Sequence, residues 1–261
     1  MGSKYFNVKF RPDMVNGDIS DVIDNDKTDK PYAANDVLFD WQTVEIPRGG
    51  GRLLGVTMVV NGEDGVAQAA KDIELIFARS IDGTAPTTIG IQNQTATSLN
   101  IQNHVIGALT MDKDYGVIGT DSCNILSTIS GGADQAGMPA IVLEGEVSTT
   151  SGFEGGYDTI YVAGIAGGAL DFSTGIESSE TIDASSAEKK TIAVDQVDAR
   201  LVFSVGDKAY VHDEDTQIPG TVSAVGANLL TFDTTNSTVD VADNDEIINA
   251  TPIKITLHCE R

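Results

Sequence analysis

The chain has 261 residues, enough to bury about 70–75% of its unfolded surface in one large domain or in one domain with a small satellite. It carries 39 acidic and 16 basic residues, and the formal net charge of −23 argues against a nucleic-acid partner. The composition, with 41% hydrophobic residues and acids scattered at turns, is that of a globular protein.

The sequence has no apolar stretch of the roughly 18–20 residues that a membrane helix needs, and residues 1–13 lack the apolar core of a signal peptide. We therefore expect a protein that is made in a reducing cytoplasm and has no membrane partner. The two cysteines, Cys123 and Cys259, lie far apart in sequence and form no C-x-x-C pair. Free buried thiols are expected, with a single long-range disulfide as the alternative.

Residues 1–40 are polar and rich in Asp, and their early apolar cluster is Tyr5, Phe6, Val8 and Phe10. The cluster has no clean period of two, so the segment is predicted to be a short strand or an extended arm. Because the surrounding residues are too polar to form a core alone, Tyr5, Phe6 and Phe10 are predicted to contact a partner.

A regular strand pattern begins after this segment. Residues 41–47, WQTVEIP, alternate in polarity and stop at a proline, and residues 52–60, RLLGVTMVV, form an apolar run of strand length. The glycines at 49–51 and the Asn, Gly and Asp residues within 61–65 are typical of turns. A strand, a turn and a second strand predict a β-sandwich.

Residues 67–80, AQAAKDIELIFARS, are compatible with two structures. Ala67, Ala70, Ile73 and Phe77 would share one face of a helix. Ile73, Leu75 and Phe77, by contrast, follow the period of a strand. We favour the strand. Further strands are predicted near residues 89–91, 104–109, 115–118, 124–129, 140–146 and 157–166.

The C-terminal third predicts a second unit. Residues 176–190 have the composition of a linker. Residues 205–233 then contain a strand, an acidic turn, a strand, a second turn and a strand, at the spacing of a small five-stranded barrel. The final strand within 251–261 is expected to return to the first sheet, because the polar residues 234–249 separate it from the barrel pattern.

The predicted fold class is therefore all-β. Residues 41–178 and 250–261 are predicted to form a jelly-roll-like β-sandwich, with residues 179–249 inserted as a small SH3- or OB-like β-barrel. Residues 1–40 are predicted to be an N-terminal arm.

Catalytic motifs were sought and none is present. The glycines at 49–51 are followed by Arg52 and Leu53 instead of Lys-Ser or Lys-Thr, so they form no phosphate-binding loop. A turn that needs positive φ explains them. There is also no G-x-S-x-G and no H-E-x-x-H. We assign no catalytic residue, no cofactor and no enzymatic activity; a glycan hydrolase with an unrecognised acid pair is the third-ranked hypothesis.

The histidines and the single tryptophan predict structural roles. His104, His212 and His258 lie far apart in sequence, in or beside predicted strands, and no zinc or iron site is assigned. Trp41 opens a predicted core strand, so a place in the core is favoured over a ligand-stacking platform.

Clustered acids are the remaining candidates for a metal site. Asp24, Asp26 and Thr28 match alternate positions of an EF-hand loop, but Asp29 replaces its glycine and Asn35 its closing glutamate. The acidic runs at 213–215 and 243–246 are predicted to be solvated turns, with calcium binding as the alternative. We therefore assign no metal.

Four segments of the chain carry a resemblance to known proteins: residues 41–52 (WQTVEIPRGGGR), 157–176 (YDTIYVAGIAGGALDFSTGI), 205–233 (VGDKAYVHDEDTQIPGTVSAVGANLLTFD) and 250–261 (ATPIKITLHCER). They cover little more than a quarter of the chain. These segments resemble virion structural proteins of tailed marine bacteriophages, above all of the cyanophage type. The resemblance implies a particle subunit on a capsid shell or in a tail or fibre, and it carries no catalytic residue.

The resemblance and the composition together predict a non-enzymatic virion structural protein, namely a capsid decoration or cement protein that binds the outside of a phage head and stabilises it. A net charge of −23 disfavours a surface that lines packaged DNA. The sequence also lacks the long amphipathic helix that a major capsid protein would require. A tail or fibre component, or a module that binds host-surface glycans, is the alternative.

The expected partners are the major capsid protein or other virion subunits. A homo-oligomer, either a trimer or a dimer, is expected because symmetric closure suits both shells and fibres. The expected location is the virion, after assembly in the host cytoplasm.

Overall fold

The computed structural model describes residues 5–14, 31–62, 64–97, 101–114, 117–128, 141–150, 152–153, 155–183, 189–212, 216–236 and 239–261. Within these ranges the chain is all-β, and its only helical element is a single 3-10 turn at Ala199–Leu201. The predicted fold class is confirmed. No helix in the described ranges is long and apolar enough to span a membrane.

The strands, in chain order, are β1 (Tyr5–Phe10), β2 (Val37–Pro47), β3 (Gly51–Asn61), β4 (Ile73–Ala78), β5 (Val105–Met111), β6 (Val117–Gly119), β7 (Cys123–Ser127), β8 (Val142–Leu143), β9 (Glu146–Val147), β10 (Tyr157–Ala166), β11 (Ile176–Glu177), β12 (Lys189–Ala193), β13 (Ala209–Val211), β14 (Thr216–Gln217), β15 (Val222–Val225), β16 (Leu229–Asn236), β17 (Glu246–Asn249) and β18 (Ile253–Glu260).

Two antiparallel sheets enclose the larger core. Sheet A has the order β1-β18-β3-β7-β6, with β8 paired to one end of β3, and sheet B has the order β2-β10-β4-β5, with β9 paired to β10. Strand β18 shows why they pack: Ile253, Ile255, Leu257 and Cys259 are buried, while the residues between them are half-buried. This period of two directs one row of side chains to the core and the other to the outer face.

Sheet B explains two of the sequence patterns. In β4, Ile73, Leu75 and Phe77 are buried and face the core, so the strand interpretation is confirmed. Strand β10 is apolar along most of its length because both of its faces are covered: Val162 packs in the larger core and Ala163 in a smaller cluster on the other face. At Gly164 in β10, a Cβ atom would lie 2.3 Å from a ring carbon of Phe39, so only glycine allows this close packing.

The second unit contains two smaller sheets. Sheet C has the order β11-β17-β13-β14, and sheet D has the order β12-β16-β15. They enclose a separate buried cluster that includes Ile192, Val211, Phe232 and Ile247. The described strands form no closed barrel, so the unit consists of two open sheets. The jelly-roll and SH3- or OB-like assignments stay predictions.

The last strand leaves the second unit and enters the first. Residues 250–252 connect β17 to β18, and β18 lies between β1 and β3 in sheet A. The larger buried cluster draws on residues 14–170 and 253–259, and the smaller cluster on residues 176–247. The domain boundaries themselves stay a prediction.

A buried carboxylate joins the two units. The side chain of Asp207, in the second unit, is fully buried and accepts hydrogen bonds from Arg11 Nη1 (2.7 Å) and Asn249 Nδ2 (3.1 Å). Its Oδ2 also lies 3.2 Å from Nζ of Lys254 in β18. We call Arg11, Asp207, Asn249 and Lys254 the junction cluster. It ties the residue after β1, strand β18 of sheet A and the second unit to one point.

Both cysteines are free thiols. Cys259 is buried in β18, opposite Phe6 of β1, and burial raises the pKa of its thiol to about 11. Cys123 is only half-buried, so the expectation of a free buried thiol is confirmed for Cys259 and only partly for Cys123.

Candidate partner-binding site

Strand β1 forms one edge of sheet A and carries the residues that were predicted to contact a partner. Exposed and half-buried residues alternate along it, and it pairs with β18 so that Phe6 faces Cys259 and Val8 faces Leu257. Phe6, Val8 and Phe10 therefore pack against the core from the rim. Tyr5, on the outer face, is 60% exposed. The sequence analysis missed the core contacts of Phe6 and Phe10.

An open groove of about 590 Å³ separates β1 from β2. Among the described strands, each of these two lies at the edge of its own sheet, so the groove follows the side of the sandwich where neither sheet has a further described strand. The residues that line it are Phe6, Asn7, Val8, Lys9 and Phe10 from β1, Thr43, Val44, Glu45 and Pro47 from β2, and Thr150, Phe153 and Tyr157.

Aromatic side chains are concentrated in this groove. Phe153 and Tyr157 are 39% and 38% exposed, and their rings meet edge to face with centroids 5.0 Å apart. Phe6 and Phe10 supply two more rings from the opposite wall. The chain has only 8 Phe, 6 Tyr and 1 Trp, so four of its few aromatic residues line one groove. Exposed aromatic residues around an apolar depression are typical of protein interfaces.

The polar groups of the groove are held in place. The Glu45 carboxylate accepts hydrogen bonds from the hydroxyls of Thr150 (2.8 Å) and Thr159 (3.1 Å). Lys9 supplies the positive charge on the other wall. The groove is thus lined mainly by apolar side chains together with one fixed acid and one base, a composition that suits an extended polypeptide.

A second pocket, of about 550 Å³, lies at the end of the sandwich around the turn at 49–51. Gly49 and Gly50 have φ values of +90° and +72°, which confirms the predicted positive-φ turn. The buried carboxylate of Asp158 accepts a hydrogen bond from the Gly49 N–H (2.7 Å). Asp158 therefore orders the turn.

The three histidines lie in separate places. His104 Nδ1 donates to the carbonyl of Arg79 (2.9 Å), and His212 Nδ1 lies 3.7 Å from Glu246. Over the described ranges, no group of three His, Cys, Asp or Glu side chains is arranged to bind a metal ion. The assignment of no metal stays a prediction.

His258 takes part in a polar row across the outer face of sheet A. Its two ring nitrogens each lie 3.0 Å from a neighbour, the Asn7 amide oxygen and the Thr57 hydroxyl. Burial and the nearby charge of Lys9 lower the pKa of His258. A hydroxyl, an imidazole and an amide in this order resemble a nucleophile with its base. The row lies on an open sheet face. His258 and Thr57 line neither pocket, and Asn7 alone borders the groove, so the row acts as a cross-strand contact.

Trp41 lies at the rim of a small satellite core. Its indole N–H donates to the carbonyl of Thr87 (2.7 Å), and its half-buried ring packs against a cluster that includes Val37, Ile89 and Ala163. The favoured core role is confirmed for the packed part of the ring.

Acidic turns were the remaining candidates for a metal site. The EF-hand-like residues 24–29 and the run at 213–215 lie outside the described residues. At the other turn, Asp245 accepts from the backbone N–H of Ala242 (2.6 Å) and Glu246 from that of Gly175 (2.8 Å). Asp245 orders its own turn, whereas Glu246 binds backbone that is distant in sequence. Asp243 is exposed, as predicted for a solvated turn, but Asp245 is buried, so the prediction was wrong for that residue.

We predict that added salt raises the melting temperature, because a net charge of −23 repels itself and the Debye length falls to about 10 Å at 0.1 M. Differential scanning fluorimetry should show the gain between low and marine salt. Calcium at matched ionic strength should add nothing beyond sodium. A rise with micromolar calcium alone would contradict the assignment of no metal, because such concentrations are too low to screen charge. The turns at 213–215 and 243–246 would then be mutated first.

No family model, no curated protein and no solved structure matches this chain. The functional interpretation therefore depends on the geometry of the groove, on the charge and on the sequence segments described above.

Proposed function

We propose that the chain is a non-enzymatic virion structural protein, a capsid decoration or cement protein that binds the outside of a bacteriophage head and stabilises it. Its partners in this proposal are the major capsid protein and other virion subunits. The observation that carries the proposal is the aromatic groove between β1 and β2, because it is an open contact surface on a strongly acidic chain.

The groove supports such a role in two ways. An edge strand has backbone groups that can pair with an added strand, as in proteins that bind by β-strand addition. The rings of Phe153 and Tyr157 offer rigid apolar area that a partner can cover. The net charge of −23 favours an exterior position, away from packaged DNA. The phage-like segments agree with this placement.

Mass spectrometry of purified particles tests the proposal. The chain should be present at many copies per virion, and adding the purified protein to particles that lack it should raise their disruption temperature. Absence of the chain from particles would refute a virion role. Presence at only a few copies would refute decoration and favour a tail or fibre component.

A variant pair links the binding to the groove. Tyr157→Ala removes an exposed ring from the groove and should weaken binding to particles about tenfold or more, the effect of truncating an interface anchor. Leu229→Ala is the control, because Leu229 is similarly exposed, at 42%, but belongs to sheet D. Equal binding of both variants to particles would show that the groove is not the surface that binds the particle.

A module that binds host-surface glycans is the alternative function. The exposed ring of Tyr157 lies in the same groove as Glu45 and Thr150, and an aromatic face beside polar groups suits a sugar. Binding on a glycan array, lost in Tyr157→Ala and kept in Leu229→Ala, would favour this alternative over decoration.

A further inference from the structure

Strand β1 can accept another strand. In the described part of the chain its ladder runs to β18, with register from Tyr5 opposite Glu260 to Phe10 opposite Ile255. Backbone N–H and C=O groups point alternately to the two sides of a strand, so the side of β1 that faces the groove offers the same groups to an incoming strand.

The charge around β1 differs from that of the whole chain. Residues 1–12 contain Lys4, Lys9 and Arg11 and no acid, although the chain has 39 acidic residues. The facing edge strand β2, by contrast, includes two acids. Two copies that each carry a charge of −23 repel one another, and pairing their β1 strands places no carboxylate within the strand pair itself. Glu45 stays on the β2 wall of the groove.

The groove also suits the side-chain pattern of β1 itself. A strand that enters beside β1 directs one row of side chains into the groove, which Pro47, Phe153 and Tyr157 also line, and the other row to solvent. The inward row of β1 is apolar throughout (Phe6, Val8, Phe10), whereas its outward row is polar. A second β1 therefore fits the groove in both charge and polarity.

We infer that two copies of this chain pair through antiparallel β1 strands across a two-fold axis, so that their A sheets become continuous. Inward residues must face inward ones, which requires the axis to pass through a residue position. With the axis at Asn7, Phe6 lies opposite Val8 of the second copy, and Lys9 lies opposite Tyr5. An axis at Val8 pairs as many residues, but it loses the contact between the Lys9 ammonium and the Tyr5 ring.

This dimer goes beyond the proposed virion role and does not depend on it. It also decides between the two expected oligomers, since a two-fold contact closes as a dimer and leaves no edge for a third copy at that site. Failure to find the chain in particles would refute the decoration proposal but not the dimer. A monomer in solution would refute the dimer but not the decoration proposal.

Disulfide trapping tests the register. In a Cys123→Ser background, Asn7→Cys should form a covalent dimer under mild oxidation, because Cα atoms of directly opposed antiparallel residues are about 4.5–5.5 Å apart, within disulfide range. Cys259 stays in place, since it is buried and the pKa of its thiol is raised. Tyr5→Cys and Lys9→Cys should cross-link when mixed with each other and not when alone.

The control is Thr110→Cys on β5, an exposed residue on the edge strand of sheet B. It should not cross-link. Cross-linking at Thr110 as efficient as at Asn7 would place the contact on β5 and overturn the proposal, as would a failure of Asn7→Cys to cross-link at concentrations where the protein sediments as a dimer.

Charge variants of Asn7 distinguish pairing between two β1 strands from binding of β1 to a different charged surface. Asn7→Glu and Asn7→Lys each put two like charges opposite one another at the axis, so both should weaken the dimer about fivefold in sedimentation equilibrium. A contact with any other surface would respond in opposite directions to the two signs. Lys113→Glu, which reverses an exposed charge far from β1 in sequence, should leave the dimer unchanged. Unchanged melting temperatures would show that the variants fold, since Asn7 also contacts His258.

Discussion

Replacing Asp207 with Ala should lower the free energy of unfolding by about 3 kcal/mol, because it leaves two cations of the junction cluster without their counter-charge. Arg11 and Lys254 are 33% and 20% exposed, so water replaces part of the lost interaction and places the effect at the lower end of the range for buried pairs. The variant also removes an acceptor from Asn249 Nδ2 and from the backbone N–H of Ser204.

The loss of unfolding free energy in Asp207→Ala should depend on pH through the protonation of Lys254. Burial lowers the pKa of Lys254 below its ordinary value of 10.5, and the Asp207 carboxylate offsets part of this effect. Without Asp207 that pKa should fall further. A lysine with a lower pKa in the folded state opposes folding while it is protonated. The difference between variant and wild type should therefore be largest at neutral pH and shrink as the pH approaches 10.5.

Urea unfolding at several pH values measures both effects. Asp114→Ala is the matched control, because Asp114 also pairs with a lysine, Lys113, but is 69% exposed. Ion pairs at the surface are screened by solvent, so this variant should lose far less stability than Asp207→Ala. A loss at Asp207 no larger than at Asp114 would mean that the junction cluster contributes little to stability.

The sequence predicted those parts of the fold that depend on local pattern. The period of two through Ile73, Leu75 and Phe77 and the apolar run of β10 locate strands because each pattern reflects burial on one or both faces. The expected strand at 89–91 was wrong: Gln92 and its neighbours make only isolated bridges to β2, within an irregular segment that covers sheet B.

The local sequence pattern could not predict which distant strands pair with each other. Strand β1 joins sheet A only because β18, from the opposite end of the chain, lies beside it. The second unit shows the same limit, since its strands were recognised as short alternating segments, but whether they close into a barrel depends on contacts between distant strands.

The candidate site was partly predicted for the same reason. Tyr5, Phe6 and Phe10 stood out as aromatic residues in a polar segment. Phe153 and Tyr157 did not, because only the folding of β10 beside β2 brings them to the groove. The burial of Asp207 was also hidden, since an Asp next to a glycine in sequence is typical of an exposed turn.

Truncating one aromatic ring in each core, with hydrogen exchange as the readout, should show whether the two units unfold together. Phe232 is 2% exposed in the core between sheets C and D, and Phe232→Ala should cost about 3–5 kcal/mol. Phe77→Ala, at a fully buried position in the core between sheets A and B, should cost a similar amount, about 3–5 kcal/mol.

Hydrogen exchange distinguishes a loss of stability confined to one unit from a loss that both units share. Residues 250–252 link β17 directly to β18, an interior strand of sheet A, and the junction cluster holds the two units at a second point. We therefore expect Phe232→Ala to speed exchange in β10 as well as in β16, because opening of the second unit should release β18. Adding Asp207→Ala should uncouple the two, so that β16 loses protection while β10 changes little further. Unchanged exchange in β10 of the single variant would mean that the two cores unfold independently, and that the junction cluster stabilises the second unit alone.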